Sequence, residues 1–142
     1  MSRQYETKKQ NNSFDVSSGE ESFYVKLCQL FSSDNIIRQH KDDRCPFSCV
    51  FYIKSLGVFI ELNYSWTHGF KLFESSQEDL CKVAVWQEKA KTSEFYKNAI
   101  DTWTRRDVQK MQAAKKNNLK YPVYYSEAEA ERLEANLAKL TA

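Results

Sequence analysis

A mixed α/β sheet flanked by helices is the fold class this sequence predicts, on three observations. Two short apolar runs, 49–53 and 58–63, flank the turn Lys54-Ser55-Leu56-Gly57 and read as a β-hairpin. Segments of helical spacing lie on both sides of that hairpin. Hairpin-linked strands come first and helix-separated strands later, which favours a sheet of mixed direction. At 142 residues, with 42% hydrophobic and 14% aromatic content, one globular domain with a real core is expected.

The elements follow in order. Residues 1–16 are polar, rich in Asn, Gln and Lys, and read as a flexible N-terminal arm. Ser17 with Glu20, and Ser18 with Glu21, each fit a capping box that opens a helix. Phe23, Leu27, Leu30 and Phe31 give that helix one buried stripe, and it stops by Ser33-Asp34. A first strand over 35–40 carries Ile36 and Ile37 and ends in the polar turn Lys41-Asp42-Asp43-Arg44. After the hairpin, 64–69 leaves the sheet as a loop. A helix over 78–91 takes Leu80, Val83, Ala84 and Trp86 as its apolar set, and Thr92-Ser93 interrupts it. Residues 98–103 alternate weakly and read as a strand or a helix end. Thr104, with Asp107 three residues on, predicts a fresh helix start, with Val108, Met111 and Ala114 or Lys115 continuing it to Asn117-Asn118. Residues 119–125 read as a strand, and Pro122 places it at an edge. A last helix over 126–140 is capped by Ser126 and Glu129 and carries Leu133, Leu137 and Leu140.

Composition narrows the function. No apolar run is long enough to cross a bilayer, and the first ten residues lack a signal-peptide stretch, so a cytoplasmic protein with no membrane partner is expected. Cys28, Cys45, Cys49 and Cys81 are then reduced thiols. Cys45 and Cys49, with His40 or His68, have zinc-like spacing but lack a second ligand pair, so no zinc is expected. The net charge of +2 hides an asymmetry: residues 82–120 hold ten basic and four acidic side chains, the remainder eleven and fifteen. That fits an anionic partner, most commonly nucleic acid, and equally a solvated lysine-rich helix face.

Glu61 and Asn63, two apart on the second hairpin strand, leave the sheet on one face. A carboxylate at the end of an apolar strand is costly without a partner, and either a lysine or a metal supplies one. On the helix over 105–116, Arg105, Arg106, Lys110 and Lys116 form a surface suited to phosphates.

The ordered motifs Ile37-Arg38-Gln39, Cys49-x-Phe51-Tyr52-Ile53, Phe59-Ile60-Glu61-Leu62-Asn63, Trp66-Thr67-His68-Gly69 and Thr102-Trp103-Thr104-x-Arg106-Asp107-Val108-x-Lys110 resemble the PD-(D/E)xK nuclease superfamily. The likeness is nearest to its very-short-patch-repair-like branch, which includes phage-borne and homing endonucleases. It spans residues 17–125 and leaves 126–142 as an added C-terminal helix. The resemblance implies a restriction-endonuclease-like sheet whose central hairpin presents acids to one or two Mg2+ ions, which activate water and steady the scissile phosphate. It makes Glu61 the metal-binding carboxylate and puts Asn63 where lysine or aspartate is often found. It makes Glu20 an extra carboxylate, with Glu21 as the alternative, and His68 a general acid or base. Trp66 then either packs or stacks on a displaced base.

The chain departs from the pattern at Val50, where members generally carry Asp and where no valine side chain can ligate. It departs again at Phe70-Lys71-Leu72-Phe73-Glu74, where a Gly/His/Pro-Phe-Asp stretch is usual. Asp42 and Asp43 do not compensate, because seven strand residues span about 23 Å. Two expectations follow. One is a DNA endonuclease, Mg2+-dependent by descent and impaired at Val50. The other is a binding protein that keeps the fold and DNA surface without cleavage, alone, as a homodimer or with a protein partner. A third reading dispenses with nucleic acid and uses the C-terminal helix and aromatic surface to bind a protein.

Overall fold

The computed structural model describes residues 18–132; the arm assigned to 1–16 and the leucines at 133, 137 and 140 lie outside them. One compact unit ends at Ile37 and the second begins at Arg38. In the first, α1 (Ser18–Phe31) carries Glu20 and Glu21 in its opening turn, where their charge complements the helix dipole. Phe23 and Leu27 are buried, but Leu30 is exposed, so the stripe is narrower than expected.

A 3₁₀ turn (Ser33–Asn35) leads into β1 (Ile36–Asp42). With β2 (Cys45–Ile53), β3 (Val58–Leu62) and β4 (Val123–Tyr124) it makes a four-stranded sheet in the order β1-β2-β3-β4. Strands β2 and β3 are antiparallel, with Phe51 opposite Ile60 and Tyr52 opposite Phe59. Strand β4 runs parallel to β3, with Glu61 opposite Val123. The sheet is therefore mixed, as the order of hairpin and helix-separated strands implied. Gly57, at φ 65°, provides the left-handed corner of the β2–β3 turn and donates to the Ile53 carbonyl at 2.8 Å.

The first hairpin is tighter than its sequence suggested. Asp42 accepts from the Arg44 backbone N–H (2.8 Å) and guanidinium (2.7 Å) and pairs with His40 Nε2 (2.7 Å). This network extends both strands and leaves only Asp43 and Arg44 in the turn. The Arg44 hydrogen bond, first among several contributions, holds the Asp42 carboxyl well below the usual carboxylate range. The short β4 occupies an edge, as Pro122 required; the carbonyls of Lys120, Pro122 and Tyr124 accept from Phe59, Glu61 and Asn63.

Between β3 and β4 the chain is helical. Helix α2 (Gln77–Ala90) starts as Ser76 Oγ accepts from the Asp79 N–H. It buries Asp79, Val83, Trp86 and Ala90, whereas Leu80 and Ala84, expected inside, are exposed. The reason is local: the Glu74 N–H (2.8 Å) and Lys71 ammonium (3.3 Å) draw the Asp79 carboxylate inward and set the helix rotation. Helix α3 (Glu94–Asp101) runs through a π-helical turn (Thr102–Arg106) into α4 (Asp107–Lys116). So 98–103 is helix rather than strand, and Thr104 starts nothing. Its hydroxyl donates to the Ile100 carbonyl at 2.7 Å, the back-bond of a threonine inside a helix. Helix α4 stops at Asn117, where Asn118 turns left-handed (φ 56°). Ser126 Oγ accepts the Glu129 N–H and caps α5 (Glu127–Ala130) as expected, while Glu129 Oε1 accepts the N–H of Tyr125, one residue ahead of the cap.

Val83, Trp86, Ala99 and Trp103 make one core cluster, with Trp66, Phe73, Tyr96 and Ile100 against it. Trp103 is fully buried and donates Nε1–H to the Lys71 carbonyl at 2.7 Å. No helix among the described residues is long and apolar enough to cross a membrane.

Asp79 gives this architecture an acid limit. Burial opposes its charge, but the Glu74 N–H, Lys71 and Ser76 outweigh that and lower its pKa. A depressed folded pKa contributes stability above the unfolded value, about 3.9, and loses it as pH falls through the folded one. The urea midpoint should hold from pH 7 to about 5 and drop below that. Asp79→Asn should lower stability at pH 7 and shallow the acid limb; an unchanged limb would show that Asp79 does not contribute.

Candidate functional site

One register step beyond Phe51↔Ile60 brings Val50 opposite Glu61, and there the ladder gives way to a side chain. Glu61 Oε1 accepts the Val50 N–H (3.2 Å), while Oε2 accepts the Tyr121 hydroxyl (2.8 Å) and faces Lys110 Nζ (3.4 Å). The carboxylate is 4% exposed, so it depends on these three donors. Burial, then the adjacent Glu61 charge, holds the Tyr121 phenol far above its ordinary pKa, and it stays a donor. Tyr121→Phe removes a hydrogen bond to a buried charge and should cost about 1.5–3 kcal/mol. A urea-unfolding loss below 0.5 kcal/mol, roughly the level of a neutral surface change, would contradict that role.

Two residues along β3's direction, Asn63 is also buried and hydrogen-bonds the Tyr125 hydroxyl. Burial, and after it the Asp107 charge, pushes Tyr125 up to about 12, against the lowering effect of Asn63. Tyr121 and Tyr125 both feel Glu61 and Asp107, which places the two carboxylates in one neighbourhood.

His68 joins this neighbourhood through Asp107. Its Nδ1 lies 2.7 Å from Asp107 Oδ2, with Asp107 5% and His68 22% exposed at the side chain. The spacing of Asp107 from Thr104 suggests a cap partner; instead the π turn delivers Asp107 to the imidazole, its N–H reaching back to the Thr102 carbonyl. From the other side, Ser65 caps the 3₁₀ turn Trp66–His68, and Gly69 closes it at φ 68°. A Cβ on Gly69 would fall inside the Trp103 indole. Lys82 Nζ also holds the Gly69 carbonyl at 3.3 Å. The loop and the π turn thus meet at Gly69 and Trp103, and that contact fixes His68 against Asp107.

Lys110 connects Glu61 to a cleft of about 360 Å³. Pro46 and Phe47 of β2 line it, with Arg105 and Arg106 of the π turn and Gln109 and Lys110 of α4. Asp101 holds Arg105 with two bonds, of 2.6 and 2.7 Å. Arg106 is exposed and forms no ion pair among the described residues. The Phe47 ring meets Tyr121 edge-on at 5.3 Å, with Lys110 Nζ 5.6 Å from its centroid.

Of the residues singled out by sequence, Glu61, Asn63, His68, Lys110, Arg105 and Arg106 fall in this region. Lys116 is exposed in the last turn of α4. Trp66 lies in the aromatic core, at 5.2 Å from Trp86 and 5.0 Å from Tyr96. Glu20 belongs to the first unit. Asp107, Tyr121 and Tyr125 were missed as site residues; the lone acid after Arg105-Arg106 was the available signal for the first.

The donor set does not suit a divalent cation. Mg2+ needs several oxygens in near-octahedral array, yet Val50 offers none and protein donors already occupy both oxygens of Glu61. Among the described residues no three His, Cys, Asp or Glu side chains converge on a metal position. Cys45 and Cys49 donate their thiols to the carbonyls of Phe47 and Phe51, and burial pushes Cys49 up to about 12. Compared with protein families, curated proteins and solved structures, the chain matches none.

Proposed function

We propose that this chain binds nucleic acid through the basic cleft beside Glu61, and that it does so without a divalent metal and without metal-dependent cleavage. The observation that carries this reading is the pairing of Glu61 with Lys110 and Tyr121 in place of a cation. Lys110 holds the buried carboxylate on one side and lines the cleft on the other. Arg105 and Arg106 extend that positive surface along the π turn. Together these cations suit phosphate contacts, which position a nucleic acid without reading its sequence. The nuclease resemblance supplies the fold and the partner class, and Val50 removes the chemistry.

The test is DNA binding in EDTA across a salt series. Counterion release requires log K to fall linearly with log salt, and Arg106→Gln should weaken binding and reduce the slope by about 1. A flat salt profile, or binding that appears only when Mg2+ is added, would reject the proposal.

A further inference from the structure

The cleft has a wall that phosphate binding alone does not need. Pro46 and Phe47 present an apolar surface facing the arginines, and Phe47 is braced by the Tyr121 edge and the Lys110 ammonium. Duplex phosphates would be served by Arg105, Arg106 and Lys110 with no aromatic ring among them. An unpaired nucleotide exposes a base and sugar as well as a phosphate, and single-strand sites combine basic grooves with aromatic rings for that reason. At about 360 Å³ the space lies in the range of small-ligand sites, about 300–1,000 Å³, and matches one nucleotide unit better than the broad face of a duplex.

We propose that this cleft takes one unpaired nucleotide of a DNA strand, its phosphate on Arg105 and Arg106 and its base or sugar on Pro46 and Phe47. The assignment rests on the nucleic-acid reading above and narrows it. Arg105 is already oriented by Asp101, so binding freezes little of its side chain. Arg106, without an ion-pair partner among the described residues, supplies an exposed cation that no carboxylate holds. Lys110 stands at the junction, where an incoming phosphate competes with Glu61 for its ammonium.

Fluorescence anisotropy with a labelled single-stranded oligonucleotide and its own duplex, in EDTA at one salt concentration, tests this. The unmodified chain should bind the single strand at least about fivefold more tightly, the lower end of what one stacked base contributes. Phe47→Leu keeps apolar volume and removes the ring; it should lower single-strand affinity more than duplex affinity and so erase that preference. Arg106→Gln should weaken both ligands. Equal affinity of the unmodified chain for the two forms, or a preference that survives Phe47→Leu, overturns the cleft assignment and leaves general nucleic-acid binding standing. Failure to bind either form overturns both. A ratio near one on the unmodified chain overturns the assignment without relying on how the variants fold.

Discussion

Gly69→Ala is expected to lose about 2–5 kcal/mol of stability, since overpacking a close-packed site costs about 1–3 kcal/mol and a left-handed alanine about 1–2. The added methyl would enter the Trp103 indole, which is fully buried and held by its bond to the Lys71 carbonyl. Relief requires moving Trp103, and with it Trp86 and Phe73, whose rings lie 5.2 and 5.1 Å away. The same displacement pulls His68 from Asp107, because Gly69 follows His68 and the π turn carries both Trp103 and the lead into Asp107. Urea unfolding should show a lower midpoint, and the His68 imidazole resonances should shift in NMR spectra. A midpoint within 0.5 kcal/mol of the parent, the range typical of neutral surface changes, would mean that the loop is not clamped there.

Val50→Asp should produce the second large effect, and it should depend on metal. The substitution sets a second carboxylate opposite Glu61, at about 5 Å between Cβ atoms for directly facing residues. Two such charges repel by about 3 kcal/mol at an effective dielectric near 20. Without divalent ions the variant should therefore melt below the parent at neutral pH, with the difference shrinking as acid protonates one carboxyl. Millimolar Mg2+ or Mn2+ should raise its melting temperature by binding the folded state. The parent should show no such rise, because Lys110 and Tyr121 already satisfy Glu61. Equal metal responses in the two proteins would show that Val50 is not what sets the cation preference.

The parts of this site that could be read from sequence are those encoded by short repeats. Two apolar runs and the glycine turn locate the hairpin, and the two-residue period of a strand puts Glu61 and Asn63 on one face. The partners of Glu61 were not legible, since Lys110 and Tyr121 lie 49 and 60 residues away in sequence. The α3–α4 passage misled for a different reason. Thr104 followed by Asp107 has the spacing of a helix cap, but in the structure that stretch is a π turn whose Trp103 is fully buried. Helix α2 was misjudged by about one position because Asp79, a charged residue, turned out to be its deepest contact. Trp66 could be placed only once its neighbours were known, as a tryptophan that packs and one that stacks on a base look identical in sequence.

The direct measurement is plasmid nicking by the unmodified chain in Mg2+ or Mn2+, beside an EDTA control and the Glu61→Ala variant. With Lys110 and Tyr121 filling the place of a cation, the unmodified chain should cut no faster than its EDTA control. Metal-dependent nicking that disappears in Glu61→Ala would contradict this and return Glu61 to the role of a metal ligand.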